Sequence, residues 1–314
     1  MKAAAAPAPL APAPAAVSWR LRLPRARILE LGGRPRVMGV LNLTPDSFSD
    51  GGRFLDVEAA LDHARAMLAD GAELLDLGAE STRPAGRTYG TGAATVPADE
   101  EVRRLLPVLE RLRAETDVPL SVDTRKGAVA RAALAAGADL VNDVSALGDP
   151  EMPGVLAAAG CPVVLMHSRG NLSDMHRHTQ YADVVGEVRD ELAAALAGAA
   201  AGGVDLAQTV LDPGIGFAKA GRQNLELLGR LDALAELGRP LLVGASRKSF
   251  IGELTGAPPA GRLSGSLAAV AWAAWHGAAI LRVHDVAATA QFLAVFDAIG
   301  RASIAQSPRD GESA

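Results

Sequence analysis

The chain has 314 residues, a net charge of -5 and 49% hydrophobic residues. That apolar content suffices for a large buried core, while the negative balance argues against a general affinity for nucleic acid or an anionic membrane, both of which need clustered positive charge. The longest apolar stretches are broken by Gly, His or Trp short of the ~20 residues a membrane span needs, and the single cysteine, Cys161, excludes an internal disulfide, so a cytoplasmic protein is expected.

Residues 1–17 begin MKAAAAPAPLAPAPAA, with Pro too frequent for a helix or a signal-peptide core, and predict a disordered tail. One domain is expected over 18–303 and a flexible C-terminus over 304–314. Alternation in WRLRL and then ILELGGRPRV predicts a β-hairpin around Gly32 and Gly33 that plugs the bottom of a barrel. Eight short apolar runs come next, each ending in polar residues. They are VMGVLN at Asn42, ELLDLGAEST around Glu80 to Arg83, PLSVD at Asp123, DLVND at Asn142 and Asp143, VVLMH at His167, TVLD at Asp212, LLVGASRK at Ser246 to Lys248, and ILRVHD at Arg282 to Asp285. These runs are Val- and Leu-rich without alternation, as strands of a parallel sheet covered by helices are. Helical segments separate them. The first carries Val57, Ala60, Leu61, Ala64 and Leu68 on one stripe, with Asp62 and Arg65 facing away. Gly71, Gly137, Gly160, Gly203, Gly238 and Gly277 each follow a helical run, as left-handed C-caps do. A (β/α)8 TIM barrel takes roughly 250 residues, close to the span from Val37 to Gly300. The expected fold is therefore α/β, a (β/α)8 TIM barrel with an N-terminal β-hairpin.

Barrels of this kind place the active site at the C-terminal ends of the strands, which turns the run ends into candidate site residues. Asp123, Asn142 and Asp212 suit the edge of a flat heterocycle; Arg83, Lys248, Arg282 and His284 suit anions. Asp212 opens DPGIGF, which in isolation reads as a turn. At a strand end beside Asp123 and Asn142, its carboxylate suits the two parallel N–H donors of an amino-pyrimidinone edge. Arg282 and His284 lie two apart on one strand, hence on one face, and are assigned to a phosphate, with Asp285 capping the final helix. Lys248 serves the anion or a ring carbonyl, and Ser249, at a helix start, suits a carboxylate. Two stretches read as lids: LTPDSFSDGGRF, with Phe48, and STRPAGRTYGTGAATVP. His176 and His178 in HRH read as solvated surface rather than metal ligands, and Trp272 and Trp275 as core or subunit packing.

The motifs MGVLNLTPDSFSDGG (38–52), GAESTRP (78–84), SVDT (121–124), GADLVNDVSA (137–146), LMH (165–167), LDPGIGFAK (211–219), VGASRKSFIG (243–252) and LRVHDV (281–286) resemble the dihydropteroate synthase family over nearly all the chain after the tail. The resemblance implies a transferase of folate biosynthesis that joins 6-hydroxymethyl-7,8-dihydropterin diphosphate to 4-aminobenzoate, with Mg2+ on the diphosphate, sulfonamides as competitors of aminobenzoate, and a homodimer built through late helices. By the family pattern Asp123, Asn142, Asp212 and Lys248 hold the pterin. Asn42, Thr82, Arg83, Arg282 and His284 hold the diphosphate, with Asn42 and Asp50 meeting Mg2+. Phe48, Pro84, Phe217, Lys219 and Ser249 form the aminobenzoate pocket. Catalysis falls to Arg282, His284, Lys248 and Asp212, and Arg282→Ala is expected to lower turnover severely with the fold intact. Ala79, a longer insert after the Glu-Ser-Thr-Arg-Pro run, Ser168 and Arg169 in place of Met and Gln, and Ala218 in place of Gly depart from that pattern, all toward the second lid and the aminobenzoate side. Two rivals are a methyltransferase that uses a related barrel to pass a methyl group to a corrinoid protein, which has no need of a diphosphate grip, and a non-catalytic pterin-binding paralogue.

Overall fold

The computed structural model describes residues 17–43, 53–81, 95–171 and 173–305. The Ala/Pro tail through residue 16, residues 306–314, and the expected site residues Phe48, Asp50, Thr82, Arg83 and Pro84 lie outside the described residues. The elements run β1 (Trp19–Leu23), β2 (Arg27–Leu31), β3 (Arg36–Asn42), α1 (Arg53–Ala69), β4 (Leu74–Gly78), α2 (Ala98–Glu115), β5 (Leu120–Asp123), α3 (Gly127–Ala135), β6 (Leu140–Asp143) and α4 (Met152–Ala159). They continue with β7 (Val163–Met166), α5 (Val184–Ala201), β8 (Thr209–Asp212), α6 (Gly221–Gly229), α7 (Asp232–Ala235), β9 (Leu241–Val243), α8 (Ser249–Thr255), α9 (Leu263–Trp275), β10 (Ala278–Val283) and α10 (Val286–Ala305).

Strands β3 to β10 close into a parallel barrel in the order β10-β3-β4-β5-β6-β7-β8-β9, the (β/α)8 architecture expected from the apolar runs. Strands β4 to β9 are buried at every position because helices cover their outer faces and side chains fill the interior. On α1 the stripe of Ala60, Leu61 and Ala64 is wholly buried, while Asp62 pairs with Arg65 on the solvent side. The six punctuating glycines from Gly71 to Gly277 all have positive φ, as helix-ending turns into a strand require. No described helix is long and apolar enough to cross a membrane.

The hairpin forms, but its reversal differs from the expectation. Strand β1 pairs antiparallel with β2, from Trp19 opposite Leu31 to Leu23 opposite Arg27, so the chain turns at Pro24, Arg25 and Ala26. Gly32 and Gly33 instead turn the chain from β2 into the barrel. The physical reason lies in the leucines. Leu21, Leu23, Leu29 and Leu31 must share one face to pack against the lowest barrel layer of Met38, Leu74, Leu140, Val164, Val210, Leu242 and Ile280, and a three-residue loop between two equal strands achieves this. Arg25 and Ala26 adopt left-handed φ values of 61° and 57° to make the turn. The Arg25 guanidinium bonds Asp139 at 2.6 Å.

Asp139 is the latch between plug and barrel. Fully buried at the start of β6, it takes Arg25 and Arg27 from the hairpin turn, Arg113 from α2 at 2.8 Å and the Leu120 N–H at 2.9 Å. Removing one partner of a buried ion pair costs about 3–5 kcal/mol, because the other charges stay desolvated. We predict that Asp139→Ala lowers the unfolding free energy in a urea titration by about that amount. Glu30→Ala, which removes an exposed pair with Arg20, should leave the urea midpoint unchanged.

Candidate active site

Strand periodicity builds the site directly on the lowest layer. Two residues beyond Leu74, Leu140, Val210 and Ile280 stand Asp76, Asn142, Asp212 and Arg282, and the alternation of side chains keeps each of these inside the barrel. Asp123 ends β5 directly beside Asn142 of β6, and Gly78 of β4 lies on its other side. Asn42 ends β3 next to Gly78, Lys248 follows β9 immediately before α8, and His284 follows β10. The expected residues Asn42, Asp123, Asn142, Asp212, Lys248, Ser249, Arg282 and His284 thus meet at the C-terminal mouth of one barrel.

Arg282 organises the floor. Its Nε donates to Asp76 Oδ2 at 2.6 Å and its Nη2 to Asp123 Oδ2 at 2.8 Å, while Asn142 Nδ2 donates to the same Asp76 oxygen at 3.0 Å. Asp76 was not among the expected residues. The available signal was an acid in the middle of LLDLG, since a carboxylate inside a Leu-rich buried strand must be paired. These pairs also revise the expectation for Arg282→Ala: the substitution strands two buried carboxylates, so it weakens the fold as well as the site.

Several acceptors in the floor stay without a donor among the described residues. Asp76 Oδ1, Asp123 Oδ1 and Asn142 Oδ1 are all buried and unpartnered, whereas Asp212 Oδ1 is fixed by the Gly214 N–H at 2.7 Å. Burial pushes the Asp123 carboxyl up to about 7 despite Arg282 beside it, and raises Asp212 as well. Unpaired buried acceptors are costly unless a ligand brings donors to them. This floor therefore suits a planar molecule with several N–H groups on its edge.

The rim above is cationic or donor-bearing. Burial pushes Lys248 down to about 8 against the pull of Asp212, and its ammonium sits 4.1 Å from the centre of the Phe217 ring. His284 is pushed down to about 3 by burial and by Arg282, so it stays neutral. Ser246 Oγ lies 3.3 Å from the His284 N–H and 3.1 Å from its Nδ1. With the hydroxyl proton given to Nδ1, Nε2 keeps the ring N–H and serves as a neutral donor. Asp285 directly precedes α10 and binds Arg247, with Nε to Oδ2 at 2.9 Å.

Other expected residues lie apart from the floor. Glu80 is held by Arg125 and Lys126, each at 3.1 Å, and by the Val96 N–H at 2.8 Å, which ties it to the wall rather than to the cleft. Phe217 packs with Val144, Met166, Met175 and Ala218, and helps line a cavity of about 340 Å³ with Ser145, Ser168 and Asn171. Lys219, expected in the same pocket as Phe217, is instead turned beneath the loop. Its ammonium donates to the carbonyls of Phe217 at 2.9 Å and Gly214 at 3.1 Å and to His167 Nδ1 at 2.9 Å. Burial pushes Lys219 down to about 7, and these three acceptors favour the ammonium form. His176 and His178 are exposed, and Trp272 Nε1 bonds the Leu228 carbonyl at 2.9 Å from a half-exposed position.

A family model described as pterin binding enzyme matches residues 38–284. A dihydropteroate synthase of Synechocystis is 48% identical over 276 residues, covering 87% of this chain and 93% of the relative. The Xanthomonas albilineans dihydropteroate synthase solved with 4-aminobenzoic acid superposes with a TM-score of 0.83 at 49% identity, over 93% of this chain and 100% of the other. Its complex with 7,8-dihydropteroate gives a TM-score of 0.79 at 46% identity, over 92% and 100% of the two chains. With barrel, site geometry and motifs in agreement, the chain belongs to the pterin-binding enzyme family and stands among its dihydropteroate synthases.

Proposed function

We infer that the protein joins 6-hydroxymethyl-7,8-dihydropterin diphosphate to 4-aminobenzoate, giving 7,8-dihydropteroate and pyrophosphate. The observation that carries this reading is the floor of buried, unpartnered acceptors on Asp76, Asp123 and Asn142 beside Asp212, roofed by Lys248, Arg282 and His284. The acceptors match the amino-pyrimidinone edge of a pterin, and the donors above match a diphosphate. The complexes of the Xanthomonas albilineans relative with 4-aminobenzoic acid and 7,8-dihydropteroate support the same two substrates here.

The reaction breaks the bond between the exocyclic methylene carbon and the diphosphate oxygen, with the electron pair leaving on pyrophosphate. An electron-rich dihydropterin stabilises the resulting methylene cation, so departure precedes attack in an SN1-like step. The arylamine nitrogen then forms the new C–N bond, and its proton passes to the departing pyrophosphate. Such a path needs stabilisation of the leaving charge more than a strong base. Arg282 and the Nε2–H of His284 supply it on the leaving group, while Asp123, Asn142, Asp212 and Lys248 fix the ring. Thr82 and Arg83 complete the diphosphate grip, and Phe48, Pro84, Phe217 and Ser249 the aminobenzoate side.

Mg2+ on a diphosphate takes one or two protein oxygens and fills its other positions with phosphate and water. The carboxamide oxygen of Asn42 at the β3 end suits that demand, and we assign Asn42, joined by Asp50, to hold the ion. When bound it neutralises diphosphate charge. Among the described residues no three His, Cys, Asp or Glu side chains gather as a separate metal site. We further place a homodimer contact on α9 and α10, where Leu263, Trp272, Val295 and Ile299 are exposed. The buried thiol of Cys161 suits a cytoplasmic setting.

Purified protein with Mg2+, dihydropterin diphosphate and 4-aminobenzoate should release pyrophosphate in step with dihydropteroate; ligand binding without product would overturn the reading. Arg282→Lys keeps a cation against Asp76 and Asp123 but loses the forked donor, and should lower kcat by about 10²-fold or more with little change in melting temperature. Lys248 carries its charge below a value of about 8 and loses it above. The kcat/KM for the pterin substrate should therefore fall as pH rises through about 8, and Lys248→Met should remove that limb of the profile.

A further inference from the structure

The loop from Pro213 to Ala220 carries Phe217 to the mouth, yet its backbone is strained. Ala218 holds φ 49°, in the left-handed region that disfavours a side chain, and a Cβ on Gly214 would overlap the His167 carbonyl. Strain of this kind persists only where the surroundings over-determine the conformation. The over-determination comes from beneath. Lys219 draws the carbonyls of Gly214 and Phe217 onto one ammonium, whose third N–H goes to His167 Nδ1. Because Nδ1 accepts, the neutral imidazole carries its proton on Nε2 and donates it to Glu191 Oε2 at 3.0 Å. Glu191, on α5, is in turn clamped by Arg169, whose guanidinium also bonds Glu187 at 2.7 Å and lies 3.9 Å from the centre of the Tyr181 ring.

We propose that Arg169, Glu191, His167 and Lys219 act as a chain of positioning residues that sets the pose of the Phe217 loop and thereby the affinity for the aryl-amine substrate, without touching either substrate. The inference rests on the aminobenzoate assignment made above for Phe217. It gives two departures from the family pattern one physical context: Ala218 adds strain at the loop, and Arg169 adds a cation that holds Glu191 in place. The chain ends at Lys219, whose ammonium also faces Asp212 electrostatically. A change in its outer members is nevertheless expected to act on the loop before it acts on the pterin floor, because Asp212 ends β8, whose backbone is paired with β7 in the closed barrel.

The test uses Glu191, which is partly exposed on a helix, so that substitutions leave the core intact. Glu191→Leu removes both the acceptor for His167 and the partner of Arg169; Glu191→Gln keeps an oxygen for the His167 Nε2–H. With the Leu variant the KM for 4-aminobenzoate should rise about tenfold or more, while kcat and the KM for dihydropterin diphosphate stay within about twofold. The Gln variant should recover most of the loss. Lys219→Met, the nearest uncharged shape, should reproduce the Leu phenotype or exceed it. An unchanged aminobenzoate KM in Glu191→Leu, equal rises in both KM values, or a Gln variant no better than Leu would overturn the proposal. A wild-type enzyme that makes no dihydropteroate would instead remove the functional reading beneath it.

Discussion

One arginine between two buried acids sets the terms for the rest of this site. Asp76 is wholly buried and Asp123 nearly so, and a carboxylate in such surroundings survives as an anion only beside a fixed cation. Arg282 meets both with two of its five N–H groups, one on Nε and one on Nη2. That leaves donors over for a leaving group above. The same residue thus neutralises the floor and arms the rim. It can do both because β10 pairs with β3, itself the neighbour of β4, and the long Arg282 side chain reaches inward to the acids on β4 and β5.

Around that pairing the remaining groups are set by burial more than by neighbouring charges. His284 stays neutral because a second positive charge next to Arg282 inside the barrel is too costly, and neutrality makes its Nε2 a donor of fixed direction once Ser246 holds Nδ1. Lys248 is drawn toward neutrality by the same loss of solvent but is kept cationic below about 8 by Asp212 and Asp123. Donors fixed before the reaction need no reorganisation as the diphosphate gains charge, which is where electrostatic catalysis finds its advantage.

The barrel and most of the floor were legible because each strand end announces itself: an apolar run is halted by Asn, Asp, His or Arg, and period-two alternation then fixes which of them face inward. Asp76 stands two residues short of its strand end, flanked by leucines, so the run-end rule does not reach it, and its one local signal is the acid itself inside a buried strand. The position of the hairpin turn is masked in the sequence for a related reason. Gly32 and Gly33 advertise a reversal more strongly than Pro-Arg-Ala does, but the left-handed Arg25 is held by Asp139, more than a hundred residues away. Lys219 shows the limit of motif reading. Its place in LDPGIGFAK marks it as near the site, while only the three-dimensional path of the loop reveals that its ammonium turns under the backbone rather than into the cleft.

The two halves of the site are built from different material. Asp123, Asn142 and Asp212, assigned to the pterin, sit on strands of a closed barrel, where hydrogen-bonded neighbours on both sides and a packed layer below leave little freedom. Phe217 sits on a loop held by side chains, with the Lys219 ammonium on two of its carbonyls and Asn224 on the Gly216 N–H. A floor that must match a fixed pattern of ring donors gains from rigidity, since a misaligned acceptor is a buried acceptor left empty. Sequence change is accordingly better accommodated on the loop side, and Arg169 and Ala218 both lie there.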